Sequence, residues 1–170
     1  YKAGRKGAKV LALFPNTQRG TLNQTLNLIN ANECTYPMIG GDTVYNPEIL
    51  RGVSKKAATC LAIAVPWHTK DSSNTEFPQE AEKLWAGTVS WRTALAYDAT
   101  RALIEAITQS KLNGKTLQQV LAAPNFQATG ATGVIQFQAN GDRNENESKS
   151  TIKLVKLAVD KQDNLIFVPL

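Results

Sequence analysis

The sequence is short of the residues from which most catalytic and metal sites are built. It has one histidine, His68, and two cysteines, Cys34 and Cys60, in 170 residues. The cysteines form no C-x-x-C pair, and no usual spacing lets them complete a zinc quartet with His68. The chain lacks G-x-x-x-x-G-K-[ST], H-E-x-x-H, G-x-S-x-G and any G-x-G-x-x-G after a strand. No metal or cofactor is implied. Aromatic residues make up 7% and never interleave with a basic face, so no nucleic-acid footprint is present. No apolar run approaches the ~20 residues of a membrane-spanning helix.

What the chain does have is enough apolar material for a core, 42% of its residues. The net charge of +5 is mild, and four basic residues (Lys2, Arg5, Lys6, Lys9) crowd the first nine positions. Residues 8–14, AKVLALF, read as a strand buried on both faces of a parallel sheet. Leu22, Leu26 and Ile29 recur at helical spacing over 19–31. Strands are expected at 36–39 and 60–67, with a helical turn after Pro47. This alternation predicts an α/β fold with parallel strands. Farther on, the pattern predicts a linker or exposed loop at 69–76, helices at 77–86 and 90–111, and a short helix opened by Thr116. Strand-like runs follow at 133–138, 151–160 and 164–168, the first two separated by the turn Asn140-Gly141-Asp142 and the polar loop 143–150.

In open α/β sheets, ligands sit outside the carboxyl ends of the strands. Three segments occupy that edge: Pro15-Asn16-Thr17, Gly40-Gly41-Asp42 and Pro66-Trp67-His68. Gly40 and Gly41 remove side chains where something comes close to the backbone, and Asp42 adds one negative charge. Asp42 has two readings, a ligand contact or a cap of the following turn. Trp67 and Trp91 are packing residues unless both face one cleft. His68 is a hydrogen-bonded loop histidine or a ligand contact. Cys34 and Cys60 both lie at amino ends of strands, away from His68, which argues against a cysteine–histidine nucleophile. If those strands are parallel neighbours, the two sulfurs share a sheet edge and a bridge is feasible. Two buried thiols are the alternative.

Five segments, VLALFPNT, YPMIGGDTVYNP, LAIAVPWH, WRTALAYDATRALIEAI and TGATGVIQFQANGDR, occur in an order that resembles one family. It is the type I periplasmic solute-binding proteins of ABC transporters, in the branched-chain amino acid (Leu/Ile/Val)-binding branch. The likeness is to the carboxyl-terminal half. It implies part of a two-lobed α/β clamshell: residues 1–66 in the second lobe, 77–138 in the first, and 151–170 as a crossing strand and terminal segment. The implied role is non-catalytic: an extracytoplasmic component that binds an amino acid or similar small polar solute and presents it to a membrane permease. The alternative is a sensory domain of the same fold. A periplasmic or extracellular location follows, a lipid anchor being one arrangement, and a half-clamshell implies self-association. By resemblance Asp42 accepts from a ligand α-ammonium, with Asn16, Thr17, Trp67 and Trp91 as further contacts. The stretch Pro15-Asn16-Thr17 carries no aromatic where relatives often place one.

Overall fold

The computed structural model describes residues 7–16, 20–71, 76–144 and 152–170. Lys2, Arg5, Lys6 and Thr17, half of the expected linker and most of the loop 143–150 lie outside them. The chain divides into two compact units, residues 1–66 with 152–170, and residues 67–151.

The first unit is a five-stranded sheet in the order β1-β2-β3-β6-β7. β1 (Leu11–Leu13), β2 (Met38–Gly40) and β3 (Leu61–Val65) are parallel, as the alternation predicts. β6 (Lys153–Val159) adds antiparallel to β3, and β7 (Leu165–Pro169) antiparallel to β6. Helix α1 (Thr21–Asn32) crosses from β1 to β2. Two short helices, α2 (Pro47–Gly52) and α3 (Lys55–Ala58), occupy the stretch between Pro47 and β3. Their caps are legible in sequence: Asn46 accepts from the Glu48 amide at 2.9 Å and Ser54 from the Ala57 amide at 3.2 Å. Asn30 on α1 ties them down, donating to the Gly52 carbonyl and accepting from the Ser54 amide, both at 2.8 Å.

The core lies on one face of this sheet. Leu13, Met38, Leu61, Ile63 and Val155 are each at most 5% exposed, with Ile29 of α1 and Ile49 of α2 fully buried. Residues of the other parity point away and are not covered: Ile39 is 38% exposed and Leu154 45%. The expectation that AKVLALF is buried on both faces is thus corrected. Ala12 is exposed and Phe14 is 77% exposed, because α1, α2 and α3 all serve the same face. The topology explains this. Right-handed crossovers that step in one direction, β1 to β2 to β3, deposit their helices on one side only.

Cys34 and Cys60 form a disulfide, with Cα atoms 5.6 Å apart. Parallel neighbours β2 and β3 start at the same sheet edge and bring the two sulfurs together.

The second unit holds α4 (Glu76–Trp85), α5 (Trp91–Asn113), α6 (Leu117–Leu121) and a hairpin of β4 (Ala128–Gly130) with β5 (Gly133–Ile135). The run 133–138 is a strand only as far as Ile135, and its partner β4 was not anticipated. Gly114, at φ 64°, ends α5, the left-handed position that glycine tolerates. Thr116 and Gln119 cap α6 reciprocally, Gln119 N to Thr116 Oγ1 at 3.3 Å and Thr116 N to Gln119 Oε1 at 2.9 Å. Among the described residues no helix is long and apolar enough to cross a membrane.

Candidate functional site

The carboxyl edge of β1 and β2 carries the strongest constellation. Beyond Gly40 the chain passes through Gly41 into a 3-10 turn, Asp42–Val44. The Gly41 amide donates to the Leu13 carbonyl at 3.1 Å, which sets the end of β1 beside the start of the turn. The two glycines have internal reasons. A Cβ on Gly40 would lie 3.0 Å from the Val44 side chain, and one on Gly41 3.0 Å from the Phe14 ring. Within the chain, Val44 and Phe14 are what comes close to the backbone here.

Asp42 is half-buried. The Thr43 hydroxyl donates to its Oδ1 at 3.4 Å, a long bond, and among the described residues most of the carboxylate's acceptor capacity is unused. Among the described residues its oxygens accept from no backbone amide of the turn, so it does not act as the turn's cap. Phe14 was not singled out in the sequence. It directly precedes Pro15, is 77% exposed, and rests against Gly41 beside Asp42. An aromatic thus stands at the end of β1 after all, one residue before the stretch Pro15-Asn16-Thr17. Asn16 is exposed and belongs to a groove between β1 and α1 that Leu13, Phe14, Thr21, Gln24 and Leu28 also line. Its backbone is pinned by Thr21, whose Oγ1 accepts from the Asn16 amide at 2.6 Å and donates to the Asn16 carbonyl at 3.0 Å. Thr17 lies outside the described residues.

The remaining candidates belong to the second unit and pack inside it. Trp67 is 3% exposed, in an apolar cluster with Phe77, Ala81, Val89, Ala94 and Ala131, and Trp91 packs against that cluster. The Arg92 guanidinium sits 4.3 Å from the Trp91 ring centroid and covers one face of it. Both indole N–H groups are buried with no partner among the described residues. His68 is buried, and its Nδ1 accepts from the Lys70 amide at 3.2 Å.

A polar cluster in the second unit accounts for the two most distinctive sequence segments. Asp98, in the middle of α5, is 3% exposed. Its Oδ1 accepts from the Ala131 amide at 2.6 Å and the Thr132 amide at 3.4 Å. Its Oδ2 accepts from the Thr132 hydroxyl and from Arg143 at 3.1 Å. Arg143 in turn donates to the Val134 carbonyl at 3.1 Å. A Cβ on Gly130 would fall 2.2 Å from Asp98 Oδ1, so only glycine fits there. WRTALAYDATRALIEAI and TGATGVIQFQANGDR are thus the two halves of one structural clamp, which fastens the β4–β5 hairpin to α5. Among the described residues no group of three His, Cys, Asp or Glu could hold a metal ion.

No protein-family model and no curated protein matches the sequence. Solved structures do. The leucine-binding protein LivK of Thermotoga maritima superposes with a TM-score of 0.70 at 19% identity, covering 98% of this chain and 45% of that one. The fold is that of the type I periplasmic solute-binding proteins. An ABC transporter substrate-binding protein of Desulfitobacterium hafniense in complex with leucine gives 0.65 at 19%, covering 98% and 45%. A solute-binding protein of a Rhodopseudomonas palustris ABC transporter in complex with benzoate gives 0.62 at 14%, covering 99% and 44%. The chain therefore spans less than half the length of these type I structures. The solutes in them range from an amino acid to an aromatic acid.

Proposed function

We propose that this chain contributes the ligand-gripping edge of one lobe to an extracytoplasmic solute-binding component of an ABC-type transporter, a protein without catalytic activity. The solute is an amino acid or a similar small molecule with a cationic nitrogen, held between two lobes, and a membrane permease receives it. In this assignment residues 1–66 belong to the second lobe and 77–138 to the first.

The supporting observation is the pair formed by Asp42 and Phe14. A half-buried carboxylate with spare acceptor capacity stands beside an exposed aromatic ring at the carboxyl edge of a parallel sheet. An ammonium group satisfies the first and an apolar side chain covers the second. A solute such as benzoate, whose only charge is negative, would be repelled by Asp42. Pockets of this kind combine apolar walls with a few placed polar groups.

The test is calorimetry on this chain and on the longest natural polypeptide that contains it, with leucine and benzoate as ligands. A hydrogen bond to a charged group contributes on the order of 1.5–3 kcal/mol. Asp42→Asn is expected to weaken leucine binding roughly tenfold or more. Unchanged leucine affinity in the Asn variant, or binding of benzoate in preference to leucine, would overturn the assignment of Asp42.

A further inference from the structure

Gly40 and Gly41 are adjacent, yet a side chain at each would strike a different kind of neighbour. A Cβ on Gly40 would meet Val44 Cβ and Cγ2 at 3.0 Å, and Val44 is fully buried, so the clash would fall on the core. A Cβ on Gly41 would meet Phe14 Cδ1 at 3.0 Å and Cε1 at 3.2 Å, closer than carbon–carbon contact at ~3.5–4 Å. Phe14 is 77% exposed and can swing aside. Nor does the backbone demand glycine at 41, because φ −81° and ψ −179° are extended values open to any residue. What the bare Gly41 preserves is the place of the Phe14 ring.

The main chain on both sides is already fixed. β1 ends directly before Phe14, and Pro15 restricts the Phe14 backbone to extended conformations. The Gly41 amide donates to the Leu13 carbonyl at 3.1 Å, which locks the two segments together. The Phe14 Cα–Cβ bond is thereby aimed, and only the side-chain torsions remain. With most of the ring in solvent, contact with Gly41 selects among them. It lays the ring against the residue that directly precedes Asp42.

The geometry points to Gly41 as a positioning residue for solute recognition. By letting the Phe14 ring lie close, it sets the affinity for a solute that carries an apolar group next to its cationic nitrogen, as leucine does. Asp42 takes the nitrogen and the ring takes the apolar group. This role presupposes that Asp42 and Phe14 contact the solute, whereas Gly41 itself acts only through the ring.

Gly41→Ala, Phe14→Ala and the double variant form the testing cycle. It is read by leucine calorimetry on this chain and on the longest natural polypeptide that contains it. The thermal midpoint of Gly41→Ala should match that of the unmodified protein, because the exposed ring yields to the added methyl group. Its leucine affinity should fall roughly fivefold or more, since contact with apolar surface is lost. In the Phe14→Ala background the same substitution should change leucine affinity by less than about twofold, because the ring through which it acts is gone. Nuclear magnetic resonance of the unliganded chain gives a readout that no solute influences. Overhauser contacts between the Phe14 ring protons and the Gly41 α-protons should be present, and their absence would overturn the proposal. So would a lowered midpoint in Gly41→Ala, which would place Gly41 with Gly40 in the packing. If Phe14→Ala weakens leucine binding but Gly41→Ala does not, or if Gly41→Ala weakens it equally with and without the ring, the role of Gly41 falls and that of Phe14 stands. If no protein in the cycle binds leucine, or Phe14→Ala binds it as tightly as the unmodified protein, the assignment of the solute site itself fails, and the role of Gly41 fails with it.

Discussion

Replacing Asp98 by alanine is expected to destabilise the second unit by about 3–5 kcal/mol, the cost of breaking a buried ion pair from one side. The magnitude can be worked from the contacts. The carboxylate accepts from two amides, a hydroxyl and a guanidinium, with its side chain 5% exposed and that of Arg143 22% exposed. At roughly 1.5–3 kcal/mol per hydrogen bond to a charged group, four such bonds total about 6–12 kcal/mol. Desolvating a carboxylate costs several kcal/mol, which brings the net to the lower range. The alanine variant recovers the desolvation but strands the Arg143 charge and the Ala131 and Thr132 amides. Whole-domain stabilities are only about 5–15 kcal/mol, so the loss is large. Gly130→Ala should act through the same contact, because its Cβ would fall 2.2 Å from Oδ1. In the double variant the two losses should add to clearly less than their sum, as they remove one interaction. Urea denaturation followed by circular dichroism at neutral pH measures all three. A loss under about 1 kcal/mol for Asp98→Ala, or full additivity with Gly130→Ala, would refute the clamp.

Three further outcomes are expected. The disulfide joins residues 26 apart, so closing that loop should stabilise the first unit by roughly 3.5 kcal/mol on the chain-entropy estimate. Thiol titration of unreduced, denatured protein should find no free thiol, and Cys34→Ser with Cys60→Ser should lower the denaturation midpoint accordingly. Burial raises the Tyr45 phenol above its ordinary value, and its ring stacks on Phe167 at 4.1 Å between centroids. The folded state therefore holds the proton more tightly than the unfolded one. This contribution is complete below pH ~10 and is lost as pH rises from there through the folded value. Tyr45→Phe should flatten that part of the stability profile, and equal slopes in the two proteins above pH ~10 would refute the assignment. Phe14→Ala should change stability by no more than about 0.5 kcal/mol, since the ring is 77% exposed, while weakening leucine binding measurably in calorimetry. A large stability loss with unchanged affinity would mean that Phe14 serves Gly41 and no ligand.

Local chemistry determined much of this protein before any tertiary contact was known. Helix boundaries were legible wherever a cap or a stop was written into a few adjacent residues, as at Asn113-Gly114 and at Thr116 with Gln119. The parallel strands were legible because short apolar runs separated by one amphipathic helix admit few topologies. Tertiary structure decided the rest, mostly through contacts remote in sequence. Gly40 and Gly41 lie against Val44 and Phe14, so a Cβ at either would crowd a side chain of the same unit. Trp67 is an interior residue because Phe77, Val89 and Ala131 surround it. Gly130 and Asp98 are 32 positions apart and meet at a distance no side chain could share. Hydrophobic runs state that a strand is apolar, but only the direction of the crossovers decides which of its faces the helices cover. That direction leaves Ile39 on the side of the sheet that the three helices do not cover.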